Sequence, residues 1–294
     1  MTQSAFDTNA EAIEAWNTVL FDKFSRFRAP MTTGLAIHGD AELERHPVKP
    51  GQRVLDIGCG FGDTTIEIAR KVGPAGLAVG IDAASRFIEL ATMDARKSKV
   101  TNAKFRSGDV QTADLGGPYD RAFSRFGTMF FASPVAALRN VRRSLVPGGL
   151  LTMVVWRSKA ENPFLSEAEQ RVLEIVPHPE KGDQVTCGPG PFSMASPDVV
   201  SAQLLLAGFE RPCFERFDAD ICIGDTVDEA LDLGMEIGPA GEVLRLAGDD
   251  AEKYRADVVR TLRELYAEYV TDDGVKGKSS SWIVSAYVPK ESGN

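Results

Sequence analysis

Apolar side chains at Ile13, Trp16, Leu20, Phe24 and Phe27 recur every three or four residues, which draws one stripe along a helix expected over 8–30. A break at 30–34 precedes a short helix expected near 35–46. Pro47, Pro50 and Gly51 then punctuate the approach to a strand. From Arg53 the period changes. Short apolar runs predict strands at 53–57, 77–82, 103–107, 119–124 and 149–156, with helices between them at 62–72, 84–97 and 133–146. Strands alternating with helices predict an α/β domain, a parallel sheet with helices on both faces. Pro147-Gly148-Gly149 is a turn that ends the last of these helices and launches the next strand.

Beyond Trp156 the rhythm loosens. Residues 157–196 are rich in Pro and Gly, with one helical piece near 164–176. A helix at 197–207 leads through Gly208 to a strand at about 212–223, then mostly helical pattern over 226–237 and 250–269, and a last strand at 281–288. If 212–223 runs parallel to the core and 281–288 antiparallel, the chain leaves and re-enters the sheet at its carboxyl edge, where open α/β sheets bind ligands. The insertions at about 157–196 and 224–279 are then expected to form a lid on a single domain spanning 49–294. Residues 1–48 are expected to close over the same site.

Composition narrows the functional classes. No run of about 18 apolar residues suggests a membrane span. The amino-terminal stretch lacks the basic and then apolar pattern of a signal peptide, which points to the cytoplasm. A formal charge of −9 weakens any case for nucleic-acid binding, which ordinarily leaves a basic footprint. Cys59, Cys187, Cys213 and Cys222 are scattered without CxxC spacing, so neither a zinc site nor a disulfide framework is expected.

The segment richest in chemistry runs from Val54 to Thr64. An apolar strand enters Gly58, Gly60 and Gly62 at alternate positions, and a helix follows at once. Glycine permits positive φ and removes the Cβ that would keep a ligand off the backbone, and helix-start amides favour polar ligand groups. Asp56 can hold this loop or face a ligand amine. Asp82 ends the next strand, 20 residues after Gly62, where a carboxylate can accept from both hydroxyls of a ribose or cap the following helix. Asp109, after the third strand, can accept from an adenine amino group or simply sit in a turn. The spacing is G-x-G-x-G. A dinucleotide fingerprint would be G-x-G-x-x-G, which counts against a nicotinamide cofactor.

LDIGCGFG, GID, GDV and the Val146-Pro147-Gly148-Gly149 turn, in this order, resemble the class I S-adenosylmethionine-dependent methyltransferases. SRFGTMFFASPVAALRNVRRSLVPGG is similar to the small-molecule branch that includes the ubiquinone and menaquinone biosynthesis type. The resemblance implies a Rossmann-like sheet of seven strands, mostly parallel, with the last one reversed. It implies S-adenosyl-L-methionine as cofactor, with Asp56, Gly58, Cys59 and Gly60 cradling its methionine moiety. Asp82 would hold the ribose and Ala83 lie beside the adenine. Asp109 with Val110 would fix the base, and Ser124 would contact the methionyl end through its backbone.

A sulfonium donor is already activated, so the protein must chiefly align the acceptor and exclude water. The acceptor pocket should be apolar with a few polar groups. Trp16, Phe126, Met129, Phe130 and Trp156 are the candidate lining, with Phe24, Phe27 and Phe131 beside them, although each also suits ordinary core packing. Arg125 could bind an anionic acceptor or pair with a helix acid. His38 is the first candidate for a general base, with a satisfied surface or interface histidine as the alternative; His46 and His178 read as surface loop residues. Base methyltransferases place a polar residue, two prolines and an aromatic after the fourth strand. Here Ser124-Arg125-Phe126-Gly127 stands instead, and the Pro-Cys nucleophile that cytosine C5 enzymes use near the same place is met only by Pro212-Cys213, on a late strand. The expected partner is therefore a small-molecule acceptor, with neither nucleic acid nor membrane, and a homodimer is open. Two other readings remain: a non-catalytic S-adenosylmethionine-binding or dimer-forming protein, and a nucleotide-dependent oxidoreductase.

Overall fold

Three helices precede the sheet: α1 (Ala5–Asn17), α2 (Val19–Arg26) and α3 (Leu35–Arg45). The computed structural model describes residues 5–177 and 190–290, so His178 and Cys187 lie outside the described residues. The single helix expected over 8–30 is broken. Thr18 leaves helical geometry at φ −121° and ψ −101°, and a π-type turn at Pro30–Gly34 joins the segment to α3. Pro30 has no N–H to continue an α-helical ladder, so the apolar stripe bends around the site instead of running straight past it.

The alternating region forms as read. Strands β1 (Arg53–Ile57), β2 (Leu77–Asp82) and β3 (Ala103–Ser107) alternate with α4 (Asp63–Val72) and α5 (Ser85–Lys97). Strand β4 (Tyr119–Arg125), α6 (Pro134–Ser144) and β5 (Leu145–Trp156) follow. The Pro-Gly-Gly segment does not lie outside the strand: it bulges within β5, where the register to β4 jumps between Tyr119–Leu145 and Arg121–Leu150.

Beyond β5 come α7 (Pro163–Leu173), α8 (Pro197–Ala207), β6 (Glu210–Gly224), α9 (Val227–Glu236), α10 (Pro239–Leu246) and α11 (Ala251–Ala267). A two-residue strand β7 (Val270–Thr271) then leads into β8 (Gly274–Tyr287). The short helix α10, begun by Pro239, is absent from the sequence expectation. The sheet order is β3-β2-β1-β4-β5-β8-β6, with β7 on β8. β8 is antiparallel to both β5 and β6, so β6 shares the direction of the core strands and β8 alone of the long strands is reversed.

Both faces of the central strands are buried. Leu55, Ile57, Ile81, Leu151 and Met153 belong to the larger core, while Val54, Ala78 and Phe123 pack on the other face against Ile68 and Val72 of α4. No helix among the described residues is long and apolar enough to cross a membrane. On the second face, α3 is tied to the sheet by a buried ion pair between Glu42 and Arg121, which also donates to Thr152 Oγ1 at 3.0 Å and to the His46 carbonyl.

Candidate functional site

A cavity of about 220 Å³ lies at the carboxyl ends of β1, β2 and β4. Strand order reverses between β1 and β4, which leaves a crevice there because the flanking connections depart in opposite directions. The amino-terminal segment covers it. Asn9, Ala12, Ile13 and Trp16 of α1 and Phe24 of α2 face the cavity from above, and Trp16 meets Phe24 and Phe130 edge-on at ring distances of 5.1 and 5.2 Å.

The floor is the bend after β1. Gly58, Gly60 and Gly62 all have positive φ. At Gly60 the value is +50°, and a Cβ there would meet no protein atom within 4 Å; it would stand in the cavity itself. The bend is braced from the next strand. Asp82 Oδ2 accepts the Gly60 N–H at 3.0 Å and Oδ1 accepts the Ala84 N–H at 2.9 Å. Each oxygen keeps acceptor capacity for a ligand hydroxyl. Asp82 is not the cap of α5, because Ala84 occupies that place without a side-chain bond. Burial raises the Asp82 carboxyl above its ordinary value, while the two amide hydrogen bonds hold it back.

Asp56 is 2% exposed and accepts the Thr65 hydroxyl at 2.5 Å. Burial pushes its carboxyl up to about 7, against the Thr65 hydrogen bond and the Arg125 charge. Cys59 is buried beside it, with its thiol pushed well above the usual range, so it is no nucleophile at neutral pH. At the far side, Asp109 accepts the Gln111 N–H at 2.9 Å and also the Asn9 amide of α1, which joins the cover to the cavity wall. Ala83, Val110, Phe126, Phe130 and Phe131 line the same space. Arg125 lines it too, but its guanidinium is already paired with Asp63 at 2.7 Å and donates to the Thr32 carbonyl at 3.4 Å. The helix-acid alternative is the one found.

Five candidates fall outside the cavity lining. His38 is fully buried, with Nδ1 and Nε2 each 2.8 Å from a serine hydroxyl, Ser281 and Ser279. Ser279 spends its own proton on the Ala219 carbonyl at 2.7 Å, so it accepts from His38 Nε2–H, and Nδ1 accepts from Ser281. Burial and the neighbouring Arg125 charge lower this imidazole to about 4. Both nitrogens are committed and the ring is enclosed by Phe126, Trp156 and Phe217, so the general-base expectation is corrected to a structural histidine. Met129 is 1% exposed and its sulfur accepts the Trp156 N–H at 3.3 Å. Trp156 stacks on Phe126 at 4.0 Å and stays in the core. Ser124 is buried and donates to the Ile57 carbonyl at 2.8 Å, tying β4 to β1. Phe27 likewise belongs to the core.

Several lining residues escaped the sequence reading: Asn9, Met31, Leu35, Asp63 and Gln111. Asn9 was within reach, since Asn9, Ala12, Ile13 and Trp16 share one helical face and the stripe needed only one more turn. Met31 and Leu35 depend on the bend at Pro30, which the stripe did not reveal.

Comparison with known proteins gives a consistent result. The family model described as a methyltransferase domain matches residues 48–194, half of the chain. A protein of 37.1 kDa in a Streptomyces fradiae transposon is 34% identical over 112 residues, covering 38% of this chain and 32% of its own length. A demethylmenaquinone methyltransferase of Staphylococcus aureus is 30% identical over 105 residues, covering 35% of this chain and 43% of its own. The matches thus span less than half the length of these relatives. Among solved structures, the YcgJ protein of Bacillus subtilis superposes with a TM-score of 0.53 at 15% identity, covering 88% of this chain and 99% of its own, a likeness of fold.

Proposed function

Because the chain belongs to the class I S-adenosylmethionine-dependent methyltransferases, we propose that it transfers a methyl group from S-adenosylmethionine to an O, N or C nucleophile of a small molecule in the cytoplasm. The observation that carries this reading is the pairing of a Cβ-free bend at Gly60, open to the cavity, with an acid at Asp82 that still has acceptor capacity. Such a pair fits a nucleoside: backbone against its body, a carboxylate on its sugar.

The residues present fit the donor. Asp56, Gly58, Cys59 and Gly60 would hold its methionine moiety, Asp82 its ribose, and Ala83, Asp109 and Val110 its adenine. When bound, the sulfonium supplies a methyl group already activated for displacement. The protein's part is to orient and to exclude water. Trp16, Phe24, Phe130 and Phe131 make an apolar cover over the cavity. Asp56, once ionised, favours the donor's positive charge.

Calorimetric titration with S-adenosylmethionine, S-adenosylhomocysteine and NAD(P)H tests the reading. Binding of the first two and not the third is expected; NAD(P)H binding alone overturns it. Release of S-adenosylhomocysteine across a panel of small acceptors then separates a methyltransferase from a protein that only binds the donor.

A further inference from the structure

A second, smaller cavity of about 60 Å³ lies under the late helices, between Phe164 of α7, Ile223 of β6, Leu233 and Gly234 of α9, and Tyr266 of α11. Met31, in the turn after α2, lines this chamber and the larger cavity alike, so a single flexible side chain is common to the walls of both. Its walls are nearly all apolar.

One polar group stands out. Tyr266 is 2% exposed, and its hydroxyl has no hydrogen-bond partner among the described residues. Buried tyrosine hydroxyls ordinarily find one, as Tyr119 does on the Leu115 carbonyl at 2.9 Å. A Cβ on Gly234, within α9, would come 2.1 Å from the Tyr266 oxygen. A helix-interior glycine disfavours the helix relative to alanine; here it makes room for the hydroxyl on the chamber wall.

The chamber has room for more than one water, whose site needs only roughly 10–15 Å³. It is poor at holding water, because each buried water needs two to four polar partners and the side chains here offer one. An apolar guest bearing a single oxygen satisfies both conditions. We propose that this chamber receives the apolar end of the methyl acceptor, and that Tyr266 donates a hydrogen bond to a carbonyl or ether oxygen on that end. The inference rests on the methyltransferase reading for the word acceptor, and on this chamber alone for the binding. Burial also pushes the Tyr266 phenol above its ordinary value, which keeps it a donor across the physiological range.

The test uses 2-alkanones from butan-2-one upward as probes, titrated into the full chain with and without S-adenosylhomocysteine. Affinity should rise about fourfold for each added methylene and level off when the chamber is full. Tyr266→Phe should weaken ketone binding about fivefold to tenfold, leave the matching 1-chloroalkanes unaffected, and leave S-adenosylhomocysteine affinity unchanged. Affinity independent of chain length overturns the proposal, as does a Tyr266→Phe protein that binds ketones as before. Should that variant not fold, the chain-length series on the unaltered protein decides, together with Leu233→Trp, which fills the chamber and should abolish ketone binding. A protein that binds the nucleoside but no ketone loses the chamber and keeps the proposed function. One that binds ketones but no nucleoside loses the acceptor role.

Discussion

The carboxylate of Asp82 accepts the Gly60 N–H at 3.0 Å, so the acid at the end of the second strand supports the bend after the first. One side chain thereby couples the shape of the floor to the groups that grip a sugar. Asp82→Ala should weaken S-adenosylhomocysteine binding by about 1.5–3 kcal/mol, the loss of a charged acceptor. Calorimetry on a variant with an unchanged circular dichroism spectrum checks it. Undiminished affinity would remove the ribose assignment.

Gly60→Val tests the bend directly. A β-branched residue at φ +50° is strained and its side chain would occupy ligand space, not protein space. Nucleoside binding should be lost, while the unfolding free energy falls only by the local strain, about 1–3 kcal/mol. A variant that titrates normally would mean the bend faces no ligand.

Asp56 should make donor binding depend on pH. Its carboxyl sits at about 7 in the folded protein, facing Arg125 as well as Asp63 and Asp82. A ligand with a permanent positive charge binds the ionised form better, so affinity should rise from pH 6 to pH 8. Asp56→Asn should flatten that rise. Stability has the opposite sign: the folded value lies above the ordinary 3.8, so the contribution is full below that value and is lost as pH rises through about 7. Affinity that is level between pH 6 and 8 in the unaltered protein would contradict the role.

His38 predicts stability without catalysis. His38→Ala should destabilise the fold by about 2–4 kcal/mol, through a cavity and a Ser281 hydroxyl left without its acceptor. Chemical denaturation measures this. Its folded value of about 4 lies below the ordinary 6.5, so its stabilising contribution is present above 6.5 and is lost as pH falls through about 4. His38→Gln, per folded molecule, should still release S-adenosylhomocysteine. Complete loss of turnover with intact nucleoside binding would restore the base.

The sheet was legible because its signals are local. Val54 to Ile57 is an apolar run, three glycines and a helix start follow, and Asp82 falls at the end of the next run; neighbours in sequence determine each feature. A similar run marks the strand at 281–288, but its reversal comes from the resemblance, because an apolar run carries no direction. His38 was misread for a physical reason. Its partners, Ser279 and Ser281, stand more than 240 positions away on that strand, and no local pattern announces them. Met129 and Trp156 are ambiguous in sequence because aromatic and sulfur side chains suit a pocket and a core equally. Tyr266 and Gly234 were missed because their meaning lies in the space between two helices, α9 and α11.

The cover is fastened unequally along its length. Toward α3 it is anchored by the enclosed Glu42–Arg121 pair, whereas α2 meets α9 through pairs open to solvent, Arg26 with Asp232 at 2.6 Å and Lys23 with Glu236 at 3.6 Å. Solvent-facing ions hold weakly and yield to added salt. The α2–α9 seam should therefore loosen as ionic strength rises and quicken nucleoside departure, while the apolar seat of Phe21 on Phe87 leaves the thermal midpoint nearly unmoved.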